Sequence, residues 1–195
     1  DMGRELTTRE ALRTRAFWLL GFGHAFALLV VTAVNVHAIS HMKDSLGYSL
    51  AQAASVITLM TLAQAGGVLL GAAIGDRWNM RHMAALCMLG HMVGLLMLAF
   101  AMHPPMLVIF GLAPGIAWGL PGPSMQALRA DYFGLRSIGM IMGLSAIIVA
   151  IGQVAGPLIA GAMADWTGSY RPGFTLLALI AGSGCLLFMM ARKPV

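Results

Sequence analysis

The residues best placed to do chemistry are the polar side chains that interrupt long apolar runs. His24 lies in the run Phe17–Ile39 together with Thr32 and Asn35. At helical spacing Asn35 falls within about 20° of His24 and Thr32 within about 80°, so the three share one face. The next run carries Gln52, Ser55, Thr58, Thr61 and Gln64 at a spacing of three. That spacing drifts about 60° per step, and Thr58, Thr61 and Gln64 still share a fan of about 120°. Ser145 and Gln153 lie about 80° apart in a later run. Such groups can hold a polar solute, and an imidazole can also take up and release protons near neutral pH. The competing use is hydrogen bonding between helices, at about 1 kcal/mol per contact. Enzyme chemistry has little to build on, because neither His24 nor His91 has a nucleophile or acid within helical reach. His37 and His41 have the spacing of a zinc pair but no further ligands nearby, and Cys87 and Cys185 sit singly in apolar runs. No cofactor or metal is expected.

The elements that must position these groups are membrane-spanning helices. The chain has 195 residues, 59% of them apolar and 10% charged. Its mean hydropathy is +0.83. That is too few charges for the surface of a water-soluble domain of this length. A bilayer core about 30 Å thick takes roughly 20 apolar residues in helical form. Six stretches meet this: Phe17–Ile39, Leu50–Ile74, Met83–Met102, Met106–Gln126, Ile138–Ala164 and Phe174–Ala191. They are too long and too uniformly apolar for barrel strands, and helices satisfy every backbone group within lipid. On this reading no span has a charged residue at its middle, and Arg129–Arg136 is a loop. His37, His41, His82 and His103 sit at span ends, where interfacial placement is expected.

The cations are distributed unevenly. Arg4, Arg9, Arg13 and Arg15, then Arg77 and Arg81, Arg129 and Arg136, and Arg192 and Lys193 all fall on one side, against only Lys43 and Arg171 on the other. The positive-inside rule makes both termini cytoplasmic. The formal charge of +5 therefore records topology, and nucleic acid is not an expected partner. The first fifteen residues are too polar for a signal peptide. The chain opens Asp1-Met2 rather than on an initiator methionine, as expected of a fragment of a longer protein.

The second span ends Ala72-Ala73-Ile74-Gly75-Asp76-Arg77-Trp78-Asn79 and the fifth ends Gly161-Ala162-Met163-Ala164-Asp165-Trp166-Thr167-Gly168. Setting Asp76 on Asp165 gives an offset of 89 residues, which also carries the first span onto the fourth and the third onto the sixth. The two aspartates fall on opposite sides of the membrane, so the repeat is three helices plus three in inverted topology. Inverted repeats of this kind characterise secondary transporters.

The residues around that repeat resemble the major facilitator superfamily. Its loop signature Gly-x-x-x-Asp-Arg-x-Gly-Arg-Arg is matched over Ala72–Arg81 at Asp76, Arg77 and Arg81, and departs from it at Ala72, Asn79 and Met80. Asp131-Tyr132-Phe133-Gly134-Leu135-Arg136, and Gly156-Pro157 with Asp165 through Arg171, are similar to the branch of monocarboxylate porters and oxalate–formate antiporters. The resemblance implies an all-α integral membrane protein whose six transmembrane helices form a 3+3 inverted repeat, half of a twelve-helix fold. Residues 1–15 would be a cytoplasmic linker segment, 16–103 and 104–191 the two three-helix repeats, and 192–195 a cytoplasmic tail.

It also implies the partners: membrane lipid, a preceding six-helix half, and a small organic solute moved by alternating access, with proton coupling open to His24. The leading solute class is a monocarboxylate or related organic anion, by symport or antiport across the plasma (inner) membrane. Drug or metabolite efflux and a non-transporting scaffold or receptor are the alternatives. With the third helix of each repeat peripheral, the binding site would draw on His24, Thr61, Gln64, Trp118 and Gln153. Asp76, Arg77 and Arg81 would form a gating cluster. Pro114 and Pro121 in the fourth span and Gly156-Pro157 in the fifth should bend or break their helices, since proline removes a backbone donor.

Overall fold

The computed structural model describes residues 5–74, 77–121 and 124–194. Every regular element in them is helical: α1 (Thr8–Arg13), α2 (Arg15–Ser40), a π-helical turn (His41–Ser45), α3 (Leu50–Ile74), α4 (Met80–Ala99), α5 (Pro104–Gly119), α6 (Ser124–Phe133), α7 (Ile138–Thr167) and α8 (Arg171–Met190). Five of these are long and apolar enough to cross a membrane, namely α2 with its π turn, α3, α4, α7 and α8. The fourth expected span, Met106–Gln126, is divided instead. α5 has 16 residues, about 24 Å at 1.5 Å per residue and short of a bilayer core of about 30 Å. α6 begins after a break at Pro121, whose carbonyl accepts the N–H of Met125 at 3.3 Å.

The described part of the segment before the first span is tied to the bundle. Thr7 caps α1 in a reciprocal box with Glu10, whose carboxylate accepts the Thr7 N–H at 2.8 Å. Thr14 then caps α2 by accepting the N–H of Phe17 at 3.2 Å. Leu6 and Ala11 are buried, and the N–H of Leu6 donates to the carbonyl of Phe133 at 3.0 Å. The two ends of the chain therefore meet at one end of the bundle, where Tyr132 donates to the carbonyl of Ala191 at 2.9 Å.

Three helix pairs make up the bundle: α2 with α7, α3 with α5, and α4 with α8. Glycine sets the spacing of the first two. A side chain at Gly115 or Gly119 would run into the carbonyls of Met60 or Gln64, and one at Gly152 or Gly156 into those of Ala25 or Leu29. Both registers advance together, so each pair runs parallel with backbones in contact, as small residues permit. In the third pair Gly182 meets Met92 while Gly184 meets Met88, an antiparallel register. This pair is pinned at both ends. Arg81 at the start of α4 donates to the carbonyl of Ala191 after α8 at 3.1 Å. Arg171 at the start of α8 donates to that of Ala99 at 3.1 Å. The core centres on Leu20, Met88, Leu95, Leu98, Phe110 and Phe174.

α3 and α7 are the uncovered elements. Only 6% of the most apolar stretch of α3 and 17% of that of α7 is buried, against 56% for α2 and α4. The apolar side chains left outside include Leu62 and Leu69 on α3 and Ile147, Ile151 and Leu158 on α7. A surface of this kind is stable in lipid or against another apolar surface, and unfavourable in water.

The prolines behave differently from one another. Pro157 lies inside α7, which runs on through it for 30 residues. The carbonyl of Gln153, which loses its helical donor to Pro157, lies 2.9 Å from the Thr32 hydroxyl, whose one proton it shares with the carbonyl of Leu28 at 2.7 Å. Pro114 is likewise internal to α5 and its ring fills the space left by Gly94. Of the expected breaks, only the one at Pro121 interrupts a helix.

Candidate functional site

α2 carries His24 half-buried on the face turned toward α3, α4 and α5. There it borders a cavity of about 240 Å³ with Gln64 of α3, His91 of α4 and Trp118 of α5. The remaining wall is largely apolar, with Met88, Met125 and Phe188 among its side chains. A smaller adjoining space of about 50 Å³ is bounded by Asn35, Gln64, His91 and Trp118. His91 is buried, and its Nδ1 has no hydrogen-bond partner among the described residues. The polar groups thus converge from four helices on one mostly apolar space, the form of a small-molecule site.

His24 also borders a second, more open cavity of about 370 Å³ between α2, α6 and α7. Its wall holds Arg129 and Ser145, respectively 3% and 2% exposed. Arg129 Nη2 donates to His24 Nδ1 at 3.1 Å and to Ser145 Oγ at 3.0 Å, while Nη1 donates to the carbonyl of Met125 at 3.3 Å. A guanidinium only donates, so His24 Nδ1 is the acceptor and the ring proton sits on Nε2.

Of the residues expected at the binding site, His24, Gln64 and Trp118 are brought together. Thr61 and Gln153 are exposed and border none of these three cavities. The Thr61 hydroxyl turns back to the carbonyl of Ile57 at 3.0 Å. Asp76 of the expected gating cluster lies outside the described residues. Arg77 is exposed, and Arg81 ties α4 to the end of α8 as described above.

Arg129 is a correction. It belongs to a helix rather than a loop, and the interior of the bundle does hold a charge. The sequence signal for this was present in Met125, Leu128, Arg129, Tyr132 and Phe133, which repeat at helical spacing and are all buried. The span-end histidines also divide. His82 and His103 are exposed. His41 is buried and bonds the carbonyl of Leu98 through Nε2 at 3.0 Å. His37 bonds that of Pro157 at 3.0 Å. Among the described residues, no three His, Cys, Asp or Glu side chains converge as a metal site would require.

A bundle of long apolar helices is the form of an integral membrane protein. Residues 20–195 match the Major Facilitator Superfamily, and the chain belongs to that superfamily, whose members are transporters rather than enzymes. It is 30% identical over 151 residues, 77% of this chain, to the Methylenomycin A resistance protein of Bacillus subtilis (strain 168). The match spans 32% of that protein, so the chain corresponds to about a third of its relative's length.

Proposed function

We propose that this chain is the C-terminal six-helix half of a twelve-helix secondary transporter that moves a small organic solute by alternating access. The cavity bordered by His24, Gln64, His91 and Trp118 carries the reading, because polar groups from four helices meet there between apolar walls. α5 and α6 together serve as the fourth of the six spans. The 3+3 inverted repeat is supported by the matching halves of the bundle. Gly67 and Gly156 are 89 residues apart, and each closes a parallel helix contact. Arg81 and Arg171 each begin a helix and bond the end of its antiparallel partner. The surplus of cations on one side supports cytoplasmic termini, and the plasma membrane is the proposed location.

Export is the proposed direction, supported by the relative's name as a resistance protein. A monocarboxylate or related organic anion remains the proposed solute class. Arg81 is assigned to fixing one conformation, with Asp76 and Arg77 proposed beside it. His24, which borders both larger cavities, is the candidate for proton coupling by symport or antiport.

The test is accumulation of radiolabelled organic acids and amphipathic antibiotics in cells expressing the full-length protein. The expected result is lowered accumulation of at least one solute, abolished by a protonophore and weakened at least about tenfold by Gln64→Ala or Trp118→Ala. Equal accumulation of every solute with and without the protein would overturn transport and favour a scaffold or receptor.

A further inference from the structure

His24 and Arg129 are held together through a single lone pair. Arg129 Nη2 donates to His24 Nδ1 at 3.1 Å and to Ser145 Oγ at 3.0 Å, which uses both N–H groups of that nitrogen. The His24 ring proton sits on Nε2, so Nδ1 is the only ring atom that can bind a second proton. The Arg129 bond and that proton therefore exclude each other. Charge acts in the same direction. An imidazolium 3.1 Å from a guanidinium that is 3% exposed would set two cations side by side with little water to screen them. The titratable or charged groups that border the two larger cavities with His24 are Cys87 and His91 of α4 and Arg129 of α6. α3 contributes the neutral amide of Gln64, α7 the hydroxyl of Ser145 and α8 the ring of Phe188. No carboxylate bonds Arg129 among the described residues. Arg129 does have room to leave, since it borders the more open cavity of about 370 Å³.

The bond also decides how α6 is held. Nη2 of Arg129 reaches α2 and α7, while Nη1 bonds the Met125 carbonyl of α6 itself. The other polar ties of α6 to the rest of the bundle, among the described residues, are at Asp131, Tyr132 and Phe133 in its last turn. The break at Pro121 lies at its opposite end. The half of α6 next to the break is thus tied to α2 and α7 by one guanidinium. We propose that His24 and Arg129 form a proton-operated clasp: a proton bound at His24 Nδ1 takes the lone pair, expels the guanidinium toward the open cavity, and frees the first half of α6 to tilt about the break. One N–H bond forms, with a proton supplied by water in that cavity, and its loss closes the clasp again. This rests on the assignment of His24 to proton coupling above. It adds the moving part, α6, and makes Arg129 the positioning residue that responds to the charge of the ring.

The experiment uses the purified full-length protein with Cys87 and Cys185 replaced by alanine and spin labels at Phe22 of α2 and Ala127 of α6, both exposed. Pulsed EPR distances are taken across about pH 5 to 8, beside NMR of the histidine ring nitrogens, with His24 assigned by its loss in His24→Gln. The expected result is a shift of about 2 Å or more between the labels as the His24 ring gains its second proton. His24→Gln offers Arg129 an acceptor oxygen but takes no proton, and should keep the neutral-pH distance throughout. Arg129→Gln should abolish the shift while the ring still titrates. A ring that stays neutral over the whole range, an imidazolium that forms with no change in distance, or a shift that survives in either variant would overturn the clasp. The wild-type titration decides alone if a variant fails to fold. Flux of organic acids into vesicles under an imposed pH gradient is measured separately. Proton-driven flux that persists in His24→Gln would overturn the coupling role, whereas clasp movement without any flux would sink the transporter reading and leave the clasp standing.

Discussion

Pro157 and Pro121 place the same chemical defect in two helices, with opposite results. α7 continues through Pro157, while the helix that begins at Pro104 stops before Pro121 and resumes at Ser124. At Pro157 one donor is missing, and the hydroxyl of Thr32 on the neighbouring helix reaches the freed carbonyl of Gln153. At Pro121 the next proline is only two residues on, so two donors are lost within one turn. Among the described residues no side chain bonds the carbonyl of Ala117, the one left free by Pro121. Replacement from outside does not decide the outcome alone, since α5 runs through Pro114 with no side chain on the freed carbonyl of Phe110 among the described residues; what sets Pro121 apart is the second proline two residues on. The break also has a use. It frees α6 from the rotational phase of α5, and α6 then turns Met125, Leu128 and Arg129 into the bundle.

Substitutions can break or sharpen this contrast. The largest effect is expected from Gly156→Leu, which drives a side chain into the carbonyl of Leu29, separates α7 from α2 and withdraws Thr32 from Gln153. Unfolding of the full-length protein in detergent should show a loss of about 3 kcal/mol. Next is Pro121→Ala combined with Pro123→Ala. Restoring both donors should fuse α5 and α6, rotate Arg129 away from His24 and Ser145, and cost about 2 kcal/mol in the same unfolding experiment. Unchanged stability would show that the break does not position Arg129. Thr32→Val removes the replacement donor at Pro157 and should cost about 1 kcal/mol, whereas Thr32→Ser should not. The smallest change is expected from Lys193→Ala. Its ion pair with Asp131 is 2.7 Å long, but both side chains are about half exposed. The loss in melting experiments should stay below about 0.5 kcal/mol and shrink further in salt.

The same contrast explains what the sequence made legible. His24, Gln64 and Trp118 could be placed at a site because a polar or amphipathic side chain in an apolar run must face something other than lipid. Thr61 met that criterion too, yet its hydroxyl bonds its own helix at Ile57, an outlet hydroxyls have and amides use less readily. Gln153, expected at the site, is exposed and borders none of the three cavities; helical angles within α7 do not say which of its faces meets α2. Arg129 was hidden by the hydropathy criterion itself. A window that ends a span where charge begins assigns Arg129 to a loop, and the helix after the break became visible only through the spacing of Met125, Leu128 and Tyr132. Five spans were read within a few residues of their helices, and the split of the other followed from prolines whose consequence, but not whose position of failure, the residues announced.

The arginines at the two ends of the α4–α8 pair have a mechanical consequence. Arg81 holds the carbonyl of Ala191, and Arg171 holds that of Ala99 while its guanidinium lies 5.3 Å from the centre of the Phe100 ring. Sliding either helix along the other would have to rupture both clamps together. The pair therefore resists sliding as a single strut.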